Sequence, residues 1–247
     1  VLACIHPADG LSWCYVPLAR AMASDRAVVG FQARGLTAAD LPASLDDLAA
    51  DYVDQLMSIQ PTCPYDILGW SIGGIIAQAM AVRLETLGQR VRLLAMLDSY
   101  PSDRWRSGAD ATEAMALRAL LLMAGEHPDD TQVLTRDVVL QRLRASDHPL
   151  GLLSDDTLSG VLRVVQHNNR LVRRHEHARC AATLVHFMAD REHVDQTTSP
   201  TEWAPYVGSV EVHHLDVLHA HMTTPTSARQ VADVLERLRA QESDDVR

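Results

Sequence analysis

Short apolar runs recur along the chain with helical stretches between them, and this alternation limits what the chain can fold into more than any other feature. Val1-Leu2-Ala3-Cys4-Ile5 and Ala27-Val28-Val29-Gly30-Phe31 flank a helix-like segment around Val16 to Met22, which is the spacing of a β-α-β unit. Two strands joined through a crossover helix run parallel. The rhythm continues with a helix from Leu45 to Ile59, a strand from Tyr65 to Leu68, a helix from Ile72 to Leu87 stopped by Gly88, and a strand from Val91 to Leu97. From Pro101 to about Arg179 it breaks into three successive helical patterns: Ala111 to Ala124, Thr131 to Ala145 and Asp155 to His175. Strands return at Thr183 to Met188 and Val210 to Leu215. An amphipathic helix from Ser227 to Ala240 closes the chain, with Val231, Val234, Leu235 and Leu238 on one face. The expectation is an α/β fold over residues 1–247: a mostly parallel central sheet flanked by helices on both faces, with its core from 1–100 and 180–247 and an all-helical insertion at about 101–179.

Composition narrows the function classes. With 47% hydrophobic and 22% charged residues, 247 residues suffice for one sizeable core. The formal charge of -10 argues against a nucleic-acid partner, which needs a basic surface to displace counterions. Every cation is Arg or His, a bias read as genome composition rather than chemistry. Cys4, Cys14, Cys63 and Cys180 form no C-x-x-C pair, so neither a disulfide framework nor a thiolate metal knot is expected, and a reducing cytoplasm fits. No apolar stretch reaches the ~20 residues of a membrane span, and no leader pattern opens the chain. Val1 to Ile5 already reads as a buried strand without Met or a polar lead-in, so an excised piece of a longer protein is expected.

Gly69-Trp70-Ser71-Ile72-Gly73 matches G-x-S-x-G directly after an expected strand and directly before an expected helix. A turn that sharp needs residues without side chains at 69 and 73, so that the flanking backbones can approach; Gly74 extends the tolerance by one residue. Ser71 then sits at a helix N-terminus, where the Ile72 N–H and the helix dipole stabilise developing negative charge. The rival use of such a serine is as a plain helix cap.

A serine hydroxyl needs a base, and in a fold of this kind the base comes last in chain order. His213 and His214 fall within the last strand, where one of two adjacent side chains must face the core or the helices, whereas His219 and His221 follow it in the loop expected to carry the base. These four histidines as a metal cluster would lack acidic or Cys ligands and leave the glycine-serine motif unexplained, so no metal is expected. His175 and His177, at a polar helix end, are expected to be solvated. The carboxylate that orients the base must lie at a strand end, and Asp98 and Asp190 both satisfy this.

Several ordered motifs together give the chain a family likeness. His6-Pro7-Ala8-Asp9-Gly10, Gln32-Ala33-Arg34-Gly35-Leu36, Gly69-Trp70-Ser71-Ile72-Gly73-Gly74, Leu97-Asp98-Ser99-Tyr100-Pro101, and His219 followed by Met222 and Pro225 resemble the thioesterase domain that ends nonribosomal peptide synthetases and related polyketide assembly lines. The likeness covers nearly the whole chain and implies an α/β-hydrolase fold. It selects Asp98 over Asp190 as the acid and His219 over His221 as the base, and it implies that the Ala8 N–H is a second oxyanion donor. The helical insertion would correspond to the family's lid, and Leu120, Leu121, Leu122 and Met123 could line its chamber, though packing is the expected use of most. Relative to the family, the sequence is expected to start after the earliest strands and any preceding carrier domain, which leaves the first sheet edge undefined.

The activity implied is release of a peptidyl or acyl chain from a phosphopantetheine thioester on an upstream carrier domain. The domain would bind no cofactor of its own and would be monomeric when excised. Rival readings are a free-standing editing thioesterase, a general serine esterase, and a non-catalytic binding module on the same scaffold. The last would normally have lost the serine or the histidine.

Overall fold

Each expected strand and helix is present in the structure, a computed structural model that describes residues 1–22, 26–37, 40–106, 112–126, 128–129, 132–146, 148–193 and 198–245. The strands are β1 (Leu2–Ile5), β2 (Val28–Phe31), β3 (Tyr65–Trp70), β4 (Val91–Leu97), β5 (Thr183–Ala189) and β6 (Ser209–Leu215). They form one sheet in the order β2-β1-β3-β4-β5-β6, and every neighbouring pair is parallel. β3 is buried along its whole length, as a strand covered on both faces must be.

The helices are α1 (Val16–Ala21), α2 (Leu45–Ile59), α3 (Ile72–Thr86), α4 (Glu113–Met123), α5 (Arg136–Ala145), α6 (Asp155–Arg174) and α7 (Pro225–Asp245). One face of the sheet buries Ile5, Ile67 and Met96 against Tyr52, Val53 and Leu56 of α2 and Ile76 and Met80 of α3. The other buries Leu68, Leu97 and Phe187 against Leu18 of α1 and Val231 and Leu235 of α7. Each fully buried aliphatic side chain of this kind contributes roughly 1.5–3 kcal/mol.

The helices α4, α5 and α6 fall between β4 and β5 and carry their own core of Leu117, Leu120, Val139, Leu143, Leu158 and Val161, joined to the sheet side by Leu11 and Leu36. Their starts are set by side-chain caps: Thr112, Thr135 and Ser154 each accept from the backbone N–H three residues on, as Ser44 does for α2. The cap at Thr135 is why α5 begins later than the apolar pattern suggests. Ala111 and Thr131, the expected starts of α4 and α5, lie outside the described residues. Leu120 and Leu121 are buried in the helical core and Leu122 is exposed. The Met123 side chain lies outside the described ones.

The sheet order reverses between β1 and β3, since the chain moves from β1 outward to β2 and then returns to the far side of β1. Where order reverses, the loops leaving two adjacent strand ends part in opposite directions and open a crevice. Here those segments are the loop 6–10 after β1 and the Ser71 bend into the start of α3 after β3.

Candidate active site

The seam between β1 and β3 at this crevice is stitched by one phenol. The buried Tyr15 hydroxyl donates to Ile5 O (2.6 Å) and accepts from Trp70 N–H (2.8 Å), so both strands are held to their last residue before they diverge. Tyr15→Phe leaves the Trp70 amide without that acceptor in a buried setting. It is expected to lower unfolding free energy by about 1–3 kcal/mol in urea titration.

Ser71 follows at once, with φ 56° and ψ -126°, a left-handed backbone that costs a non-glycine residue about 1–3 kcal/mol. The neighbouring glycines explain how such a bend closes. A Cβ on Gly69 would stand 2.1 Å from Gly73 O, and one on Gly73 would stand 2.5 Å from Ile5 O and 2.7 Å from His6 O. The start of α3 therefore lies against the end of β1, and no side chain fits between them. Ser71 occupies the N-cap position of α3 but makes no side-chain cap hydrogen bond, and among the described residues its hydroxyl has no partner. The cap use of this serine is thus not realised.

Asp98 leaves β4 with φ 47° and is 2% exposed. Its backbone N–H donates to Phe187 O (2.8 Å), as Ser71 N–H donates to Leu97 O (3.1 Å), so each residue is docked on the end of the next strand. The Asp98 carboxylate takes donors on both oxygens. Oδ2 accepts from His219 Nδ1 (2.7 Å), and Oδ1 accepts from the Tyr100 hydroxyl (2.9 Å), the Ala189 N–H (3.1 Å) and His193 Nε2 (3.0 Å). Burial by itself would push the carboxyl up. The His219 hydrogen bond and charge, the Ala189 N–H and His193 outweigh it and hold Asp98 below the ordinary carboxylate value.

His219 sits on a 3-10 turn, His219–His221, after β6, and its ring packs on Trp70 with centroids 5.5 Å apart. With Nδ1 committed to Asp98, Nε2 is the ring nitrogen left for chemistry. Ser71, Ile72, Asp98, His219 and Ala8 all line one cavity of about 350 Å³. Ala119 of α4 and Asn169, Val172 and Arg173 of α6 also line it. Among the described residues no hydrogen bond joins the Ser71 hydroxyl to the His219 ring. Such contacts are often long without substrate and tighten on its arrival.

The loop after β1 is fixed by buried polar contacts. His6 Nδ1 donates to Pro7 O (2.7 Å) and Nε2 accepts from the Tyr52 hydroxyl (2.6 Å), while burial lowers the imidazole pKa to about 4 and keeps it neutral. Asn168 of α6 donates to Ala8 O (3.2 Å), tying the helical insertion to this loop. No hydrogen bond among the described residues occupies the Ala8 or Ile72 N–H.

The alternatives that spacing left open are separated in space. Asp190 Oδ1 pairs with His214 Nδ1 (2.8 Å) on the exposed edge, and His221 is exposed. His213 stacks on Phe187 and contacts Glu211 (2.8 Å), so the four histidines from 213 to 221 diverge. Among the described residues no group of three or more His, Cys, Asp or Glu could hold a metal, and no helix is long and apolar enough to cross a membrane.

One expectation is corrected. His175 and His177 are not solvated: His175 is 7% exposed, and His177 is half-buried, donating from Nδ1 to Gln78 Oε1 (2.9 Å) and accepting at Nε2 from Ser102 N–H (3.0 Å). Burial drives the His177 pKa down to about 3. The helix end is polar in sequence but is covered by Trp203 and Tyr206, whose rings lie 5.0 and 4.8 Å from His177.

Sequence reasoning also missed His193, Tyr100 and Asn168 as site neighbours. Tyr100, two residues past Asp98, carried the only local signal. The others reach the site through tertiary packing alone.

A parallel sheet with its serine on the bend after β3, helices on both faces and a histidine loop after the last strand is an α/β-hydrolase fold. The family model described as "Thioesterase domain" matches residues 1–241. The chain is 33% identical over 240 residues to a dimodular nonribosomal peptide synthase of Bacillus subtilis (strain 168), covering 95% of this chain and 10% of that protein. In fold it is similar to a four-domain nonribosomal peptide synthetase bound to AMP and glycine (TM-score 0.81, 21% identity, 96% of this chain and 19% of that one). It is also similar to the NocB thioesterase domain in covalent complex with a fluorophosphonate nocardicin G analog (TM-score 0.68, 21% identity, 96% and 93%). The chain belongs to the thioesterase domain family. It spans about a tenth of the Bacillus synthase it matches.

Proposed function

We propose that this domain is a serine thioesterase that releases a peptidyl or acyl chain from the phosphopantetheine thioester of an upstream carrier domain, with Ser71 as nucleophile, His219 as base and Asp98 as its orienting acid. The observation that carries the reading is the 2.7 Å hydrogen bond from His219 Nδ1 to Asp98 Oδ2 on the wall of the cavity that Ser71 also lines. It fixes the tautomer in which Nε2 is free to accept a proton.

His219 Nε2 takes the Ser71 proton as Oγ attacks the thioester carbon. The carbonyl oxygen becomes an oxyanion that accepts hydrogen bonds from the Ile72 and Ala8 N–H groups, each donor of this kind typically contributing ~2.7–4 kcal/mol. Collapse breaks the C–S bond, the imidazolium returns the proton to the departing thiolate, and an acyl-Ser71 ester remains. Water, or an amine or hydroxyl of the same chain, then attacks that ester with His219 again as base. In this reading the helical insertion is a lid, since α4 and α6 both reach the cavity wall. Phosphopantetheine enters as part of the carrier-borne substrate, and the domain itself uses no cofactor.

Thiol release from an acyl-N-acetylcysteamine thioester tests the base. His219→Ala is expected to reduce kcat/KM on the order of 10^4-fold or more, and His221→Ala to leave it within about twofold. The reverse pattern overturns the assignment.

A further inference from the structure

We propose that His193 is a positioning residue for Asp98, a second imidazole that secures the carboxylate through Oδ1 while His219 takes Oδ2; this rests on the reading of Asp98 and His219 given above. His193 stands just past β5, lines the same cavity and has a side chain only 13% exposed. Its Nε2 lies 3.0 Å from Asp98 Oδ1 and 3.2 Å from Oδ2, and its ring meets Tyr100 edge-on at 5.1 Å.

The torsion that turns a carboxylate about its Cβ–Cγ bond is soft, so neighbouring donors, not the backbone, set the plane of the group. Tyr100 and Ala189 donate to Oδ1 alone and His193 lies nearer Oδ1 (3.0 Å) than Oδ2 (3.2 Å), so the shortest contact to Oδ2, 2.7 Å, is that of His219. Asp98 is an acceptor only, so His193 presents a protonated Nε2 to it and needs no charge to do so.

Charge on His193 would work against the reaction. When His219 accepts the Ser71 proton it becomes a cation stabilised by the single negative charge of Asp98, and a cationic His193 would share that charge and repel it. His193 meets Asp98 and Tyr100 after β4, and Arg104, Arg173, Glu192 and His219 line the same cavity. Burial holds His186 neutral, with its pKa lowered to about 4 and Nε2 donating to Ser99 O (2.8 Å), so it adds no charge near neutrality.

The test compares His193→Gln, whose amide N–H stands in for Nε2, with His193→Ala, by steady-state thioester hydrolysis. Gln is expected to keep kcat within about threefold with KM unchanged, a rescue that a merely space-filling role would not need. Ala is expected to lower kcat roughly tenfold at unchanged KM, the loss of one hydrogen bond to a charged group. If both variants match wild type in kcat, the proposal is overturned. It is equally overturned if both are impaired alike, because then His193 only fills space. Should the Ala variant fail to fold, His193→Leu, which fills the space without a donor, takes its place, and a kcat near wild type in it overturns the proposal. Failure of the parent reading would look different: Ser71→Ala would keep releasing thiol.

Discussion

Asp98→Asn is expected to lower kcat/KM for acyl thioesters by about 10^4-fold, with the protein folded and KM little changed. The size of the effect comes from where the amide must settle. Oδ1 receives the Ala189 N–H and the Tyr100 hydroxyl, so the oxygen of an asparagine belongs there and its NH2 faces His219. An NH2 opposite Nδ1 demands the tautomer whose proton lies on Nε2, and that nitrogen then cannot take a proton from Ser71. Asp190→Asn is the control. Asp190 is hydrogen-bonded to the exposed His214, and its replacement is expected to change steady-state kcat/KM by less than about twofold. Loss of activity in the second variant and not the first would transfer the orienting role to Asp190.

Ser71→Ala is expected to have the larger effect, a fall in kcat on the order of 10^6-fold, leaving only what the oxyanion donors and binding supply. The fold should not notice the change. The hydroxyl has no hydrogen-bond partner among the described residues, and alanine meets the same left-handed backbone that serine already tolerates. An unaltered Tm beside an abolished turnover would therefore locate the loss in chemistry and not in folding.

Much of this was written plainly in the sequence. The strand and helix rhythm is a burial pattern with two periods, and β3, α3 and β4 appeared within a few residues of their observed bounds because hydrophobic periodicity is local. Ser71 was legible for a stricter reason: the clashes a Cβ would make at Gly69 and Gly73 leave few other residues for that bend. Asp98 and His219 were legible as candidates, since strand ends and the last loop are where such residues stand. Separating them from Asp190 and His221 needed the family likeness, because spacing does not say which side of the sheet a loop turns toward. His193 was invisible. It joins Asp98 across 95 positions of sequence, and nothing near it marks a loop that folds back over β4. His177 misled in the opposite direction. A histidine in a run of charged residues reads as solvated, and only the tertiary placement of Trp203 and Tyr206 buries it.

One activated serine in the cavity is what the proposed chemistry requires. A fluorophosphonate reacts irreversibly with such a hydroxyl and with no resting one, so intact mass after incubation reads this requirement without turnover. One phosphonyl adduct per chain is expected, located on Ser71 by peptide mapping, absent from Ser71→Ala and formed far more slowly in His219→Ala. Labelling that persists in Ser71→Ala, or a wild-type protein that stays unlabelled, would contradict it.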